Sequence, residues 1–144
     1  MLVYNRIGNL EPGIYDLSWQ EFKVIFGFNS HRINLIKGLE QAISELRTVG
    51  CKTIYADGSF ITKLLYPKDF DICWDEDGVN FELLRTSYYG LMDYGWKMRN
   101  MKKRYGGDIV PMTNYANERG TIFFEYFQED KQKRRKGIIR ISLI

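Results

Sequence analysis

The chain has 144 residues and a formal net charge of +3, with 44% hydrophobic and 15% aromatic residues. This composition fits one globular domain whose core needs no disulfide staples, and it excludes a disordered chain. One histidine, His31, and two cysteines, Cys51 and Cys73, exclude a zinc cluster and leave little room for histidine-based catalysis.

The first five residues lack the charged-then-apolar pattern of a signal peptide. No run approaches the roughly 18 apolar residues of a membrane helix, so no membrane contact is expected and the cytoplasm is the expected location. Residues 1–17 read as an irregular N-terminal arm with a turn at Glu11-Pro12-Gly13. Ser18 and Glu21 have capping-box spacing. A short helix is therefore expected from Ser18, with Trp19, Phe22, Ile25 and Phe26 on its apolar face. A longer helix is expected over residues 30–49, where Ile33, Ile36, Leu39, Ala42, Ile43 and Leu46 recur at helical spacing and Gly50 follows as a stop. His31, near its start, reads as a surface or capping residue.

A strand, Thr53-Ile54-Tyr55-Ala56, comes next and breaks at Asp57-Gly58-Ser59. A second strand is Phe70-Asp71-Ile72-Cys73-Trp74, followed by an acidic turn of Asp75, Glu76 and Asp77 closed by Gly78. One helix or a pair is expected over residues 81–104, then a third strand at Ile109-Val110 after Gly106-Gly107-Asp108. An aromatic-rich helix over 121–129, a basic loop and a closing strand over 137–143 complete the chain. Strands alternating with helices give an α/β (α+β) class, a small mixed β-sheet flanked by helices in one domain spanning 1–144. Cys51 and Cys73 lie in apolar, strand-like runs and read as reduced core thiols, with a cross-strand disulfide as the alternative.

The segment from Gly58 to Asp71 carries the chemistry. Asp69 and Asp71 are two apart on a strand, so their carboxylates project from one face while Phe70 and Ile72 take the other. Two adjacent carboxylates repel unless a cation lies between them. Magnesium suits, being a hard ion that takes oxygen ligands and leaves room for phosphate. Gly58-Ser59 lets backbone amides approach an anion closely, and the Ser59 hydroxyl adds a donor.

Gly58-Ser59, nine residues and Asp69-Phe70-Asp71 resemble the hallmark of the DNA polymerase beta-type nucleotidyltransferase superfamily. More narrowly, the Asp-Gly-Ser-Phe opening and the ending from Phe124 to Phe127 followed by Lys136-Gly137-Ile138 resemble small uncharacterised bacterial and phage proteins. The superfamily resemblance implies that Gly58 and Ser59 hold nucleotide phosphates and that Asp69 and Asp71 bind two magnesium ions. It also implies a third carboxylate, and Asp108, at the start of the third strand, fits it as a metal ligand or a proton acceptor. Glu118 and Glu125 compete for that role from a helix or its approach. Many small relatives carry an arginine and a second glycine after Gly-Ser. Phe60, Ile61, Thr62 and Lys63 stand there instead, which leaves Lys63 as a substitute phosphate contact.

Lys131, Lys133, Arg134, Arg135 and Lys136 form a local basic cluster that either binds nucleic acid or is a solvated loop. Lys97, Arg99, Lys102, Lys103 and Arg104 form a second run that reads as a helical solvent face. Phe123, Phe124, Tyr126 and Phe127 read as core, with base stacking as the alternative. The resulting expectation is a magnesium-dependent enzyme that moves a nucleoside monophosphate from a nucleoside triphosphate such as ATP to an RNA, protein or small-molecule hydroxyl. The resemblance suggests a toxin–antitoxin or phage-defence setting. The competing expectation is an inactive module of the same fold that binds RNA or a protein partner.

Overall fold

A computed structural model describes residues 1–144, apart from the side chain of Trp96. Five strands form one mixed sheet: β1 (Ile14–Leu17), β2 (Thr53–Asp57), β3 (Phe70–Trp74), β4 (Gly107–Pro111) and β5 (Ile138–Ser142), in the order β1-β5-β2-β3-β4. The outer pairs, β1 with β5 and β3 with β4, are parallel, and β2 runs antiparallel to both β5 and β3. The helices are α1 (Trp19–Phe26), α2 (Ser30–Thr48), α3 (Phe81–Ser87), α4 (Met98–Tyr105) and a single turn, α5 (Phe123–Tyr126). The mixed α/β class is as the sequence predicts. Among the described residues, no helix is long and apolar enough to cross a membrane.

Strand alternation divides the sheet into two unlike faces. Ile54, Ala56, Phe70, Ile72, Trp74, Ile109, Ile139 and Ile141 share the main core with Phe22 and Phe26 of α1, Leu39, Ile43 and Leu46 of α2, and Met101 and Tyr105 of α4. The opposite face carries a smaller cluster of Tyr55, Cys73, Val110 and Ile138, covered by Phe127 with Phe123 and Phe124. Both cysteines are buried and free.

The Ser18–Glu21 capping box is present, each side chain bonding the other's backbone amide at 2.8–3.0 Å. Four other expectations change. The N-terminal arm is not irregular throughout, because Ile14–Leu17 pairs with β5 as an edge strand. Ile25 is exposed on α1, and in the first turn of α2 the buried position belongs to Arg32, leaving Ile33 exposed. The 81–104 segment is broken by short 3-10 turns at Tyr89–Met92 and Gly95–Lys97. The aromatic helix shrinks to one turn, since its rings face different neighbours: Phe124 meets Tyr55, while Phe123 packs on Phe127.

Gly38 is where α2 crosses the end of α4. A Cβ there would lie 1.8 Å from the Tyr105 carbonyl oxygen. Alanine gains about 1 kcal/mol over glycine in a helix, but the clash is with backbone and overpacking costs about 1–3 kcal/mol. Gly38→Ala is therefore expected to lower the melting temperature. An unchanged or raised value would show that the two helices separate freely.

Candidate functional site

Asp57, Asp71 and Asp108 form one row across the sheet. Asp57 on β2 is paired in register with Asp71 on β3, and Asp71 with Asp108 on β4. Register partners point to the same face, so the three carboxylates stand side by side, on the face opposite the main core. Asp69 lies one residue before β3 and extends the group. The structure thus brings Asp69, Asp71 and Asp108 together and adds Asp57, which sequence reading left at the break in the pattern. The signal was available: Tyr55 and Asp57 share a face by simple alternation.

Two lysines answer these acids. Lys102 of α4 reaches Asp69 at 3.4 Å and Asp108 at 3.8 Å. It stays exposed, as expected for its run, while its ammonium group turns to these two acids. Lys136 Nζ lies 2.8 Å from Asp57 Oδ1, with both side chains largely buried. Among the described residues, no lysine forms an ion pair with Asp71. Burial first, then Asp69, Asp57 and Asp108, push its carboxyl up to about 7, opposed only weakly by Lys102. Burial also raises Asp57 and Asp108, against the pull of Lys136 and Lys102 respectively. Among the described residues, no three His, Cys, Asp or Glu side chains form a ready metal cage. Two observations nevertheless fit a cation here. Asp108 Oδ1 is buried without a hydrogen-bond partner. And the space a Gly58 side chain would take lies 2.3 Å from Asp71 Oδ2.

Gly58 follows β2 with φ +83°, a conformation that favours glycine. Ser59 opens a 3-10 turn, Ser59–Ile61, and is exposed. The loop from Ser59 to Pro67 is gripped by the first turn of α2. Arg32, fully buried, donates to the carbonyls of Phe26, Phe60, Thr62 and Leu64 at 2.6–3.0 Å. Asn29 caps α2 and donates to the Leu65 carbonyl, and His31 Nε2 bonds the Pro67 carbonyl. That oxygen only accepts, so Nε2 carries the proton. His31 is thus a loop anchor.

These parts meet in an open groove of about 1360 Å³. Asp57, Asp71 and Asp108 line its floor with Gly58 and Ser59, and Lys63, Arg119, Lys131, Lys133 and Lys136 line its walls. Lys63 sits over the Tyr4 ring at 5.3 Å. Within the basic cluster the residues divide. Arg134 pairs with Asp130, and Arg135 with Glu125 and Gln128, so neither is a free cation. Glu125 is occupied with Arg135 rather than with the acid row. Glu76 of the acidic turn bonds Thr113.

A family model described as a family of unknown function (DUF6932) matches residues 2–142. The chain belongs to the DUF6932 family. No curated protein and no solved structure matches it. In this DUF6932 chain the matched span holds the whole acid row, both lysines that answer it and the gripped loop.

Two outcomes follow from this geometry. Arg32→Met removes every donor from four carbonyls, and a loss of about 3 kcal/mol in urea unfolding is expected. A loss below about 1 kcal/mol would mean that water satisfies the loop equally well. For Asp71, the folded protein keeps a proton that the unfolded chain releases, between about pH 4 and the raised value of about 7. Stability contributed by this group therefore falls as pH rises through that window. Asp71→Asn is expected to be more stable than wild type at pH 8 by roughly 1–3 kcal/mol, with a smaller advantage at pH 5. Equal stabilities at pH 8 would show that Asp71 is not under electrostatic strain.

Proposed function

We propose that this chain is a magnesium-dependent nucleotidyltransferase. It would move a nucleoside monophosphate from a nucleoside triphosphate to a hydroxyl on an RNA, protein or small-molecule acceptor. The observation that carries the reading is the in-register row Asp57–Asp71–Asp108, beside a glycine turn and under a groove with basic walls. Lys136 pairs with Asp57, and Lys102 with Asp69 and Asp108, so the carboxylates outnumber the ammonium groups that answer them, which favours a cation beside them.

Asp69, Asp71 and Asp108 are the residues that would hold magnesium, with two ions the number the resemblance implies. Bound there, magnesium supplies polarisation of the α-phosphate and stabilisation of the departing pyrophosphate. The protein's own groups have separate tasks. Gly58 lets the backbone approach the phosphates, and the Ser59 hydroxyl donates to a phosphate oxygen. Asp108, raised by burial, takes the proton of the attacking hydroxyl. That hydroxyl oxygen bonds the α-phosphorus as its bond to the β-phosphate oxygen breaks, and pyrophosphate leaves. Positioning and charge neutralisation supply most of the rate.

A second reading is a non-catalytic module of the same fold that binds RNA. It is favoured by the lysines already seated among the carboxylates. It is also favoured by the loop tip, where Asp130 accepts from the Gln132 and Arg134 amides and stiffens a turn carrying Lys131 and Lys133 into the groove. One experiment separates the two. The protein is incubated with α-phosphate-labelled nucleotides, magnesium, RNA and cell protein. Label transfer is expected, falling by at least about a hundredfold in Asp69→Ala/Asp71→Ala. RNA binding without label transfer, and without magnesium–nucleotide binding in calorimetry, would replace the enzyme reading with the module.

A further inference from the structure

We propose that Lys136 grips the outer phosphates of the bound nucleotide, and that Asp57 holds its ammonium group at the groove floor until they arrive. This rests on the nucleotidyl-transfer reading above and assigns the phosphate grip, for which the sequence offers Lys63.

Lys63 is exposed, with its ammonium group over the Tyr4 ring. Lys136 is also partnered, but it is largely buried and its partner belongs to the acid row. Its side chain is only 15% exposed, and its ammonium is 2.8 Å from Asp57, the residue directly before Gly58. It lines the same groove as Gly58, Ser59 and Asp71. It lies two residues before Ile138, so strand alternation carries it to the face that bears the acid row.

The backbone of Lys136 is fixed on both sides of its side chain. Its amide donates to the Gln128 carbonyl at 2.9 Å, and the next amide, Gly137, donates to Leu10 at 2.9 Å. Four rotatable bonds then let the ammonium exchange one anion for another. Phosphate oxygens and the Asp57 carboxylate are competing acceptors for the same charge. An ammonium already withdrawn from bulk water pays little further desolvation when it changes partner.

Asp57 has no place in the Gly-Ser and Asp-x-Asp pattern, yet it is 8% exposed and stands in the row beside Asp71. An unpaired carboxylate there would be costly. Keeping one is intelligible if its work is to hold Lys136 in reach of the turn that follows it.

The test uses the full chain as wild type, Lys136→Met, Asp57→Asn, the Asp57→Asn/Lys136→Met double variant, Lys136→Arg and Lys63→Met. Melting temperature is measured in EDTA. Affinity is measured by calorimetry for magnesium–ATP and for inorganic tripolyphosphate. Lys136→Met is expected to melt below wild type, because Asp57 loses its partner, and the double variant to regain most of that loss. Affinity behaves differently: the double variant stays at least about tenfold weaker for both ligands, whereas Lys136→Arg stays within about threefold of wild type. Lys63→Met loses less than Lys136→Met. A double variant that binds both ligands as tightly as wild type would overturn the proposal and leave Lys136 a structural partner. An equal or larger loss in Lys63→Met would also overturn it. Neither of these results touches the enzyme reading. Absence of binding in the wild type would sink both together.

Discussion

The site depends on one buried guanidinium. Arg32 spends all five of its N–H groups on main-chain carbonyls, four of the five on the loop that joins the glycine turn to the acid pair. It stacks on the Phe28 and Phe60 rings at 4.3 and 4.8 Å. Burial lowers its proton affinity, yet an arginine stays charged in any protein environment. A charge without a carboxylate partner is costly to bury. Each fully buried side chain of Leu39, Ile43 and Leu46 on the same helix contributes roughly 1.5–3 kcal/mol against that cost. The return is geometric. The spacer between Ser59 and Asp69 has no regular structure beyond one 3-10 turn, and its shape is imposed from α2.

That fixed loop sets glycine and carboxylates in register, and the register creates strain. Parallel pairing of β3 with β4 and antiparallel pairing of β2 with β3 place three acids in one row. No rotation about the strands relieves this, because one-residue slippage would turn Phe70, Ile72 and Trp74 out of the core. The hydrophobic face therefore holds the acidic face in an unfavourable arrangement. Lys102 and Lys136 reduce the repulsion without cancelling it, and Asp71 bears what is left. Local strain of this kind, maintained by packing elsewhere, is commonly stored at functional sites.

Much of this was legible in the sequence, and what was not has physical causes. The apolar periodicity of α2, the capping box of α1 and the alternation of β3 are local signals, and the structure agrees with them. The joint position of Asp71 and Asp108 follows from the parallel pairing of β3 with β4, whereas the sequence offers Asp108 only through the resemblance and its place at the start of a strand. β1 was missed because its pairing with β5 is more than a hundred residues away in sequence, and its four residues alternate only between exposed and half-buried, with no polar-apolar pattern in Ile-Tyr-Asp-Leu to read. Arg32 was missed for the opposite reason. It stands at a polar letter in a helical pattern, and only the carbonyls of a distant loop explain why it is buried. Lys102 and Lys136 looked like members of solvated basic runs. Their neighbours in those runs are exposed, as Lys102 itself is, and what singles the two out is an ion pair with the acid group.

The choice of lysine at those two places bears on how the floor can work. An arginine paired with a carboxylate makes a planar, two-point contact that is slow to give up, as Arg140 does with Asp16 at 2.6 and 2.9 Å on the far edge of the sheet. A lysine is a point charge on a flexible stem and holds one oxygen at a time. The chain places its fork-shaped cations where shape must be kept: Arg32 under the loop, Arg140 at the edge strand, Arg134 and Arg135 at the loop tip. It places ammonium groups against the acids themselves, Lys136 on Asp57 and Lys102 on Asp69 and Asp108. Two-point guanidinium contacts thus surround the acid row, and single-point ammonium contacts lie within it, so the scaffold is held by shape while the acids are answered by charge alone.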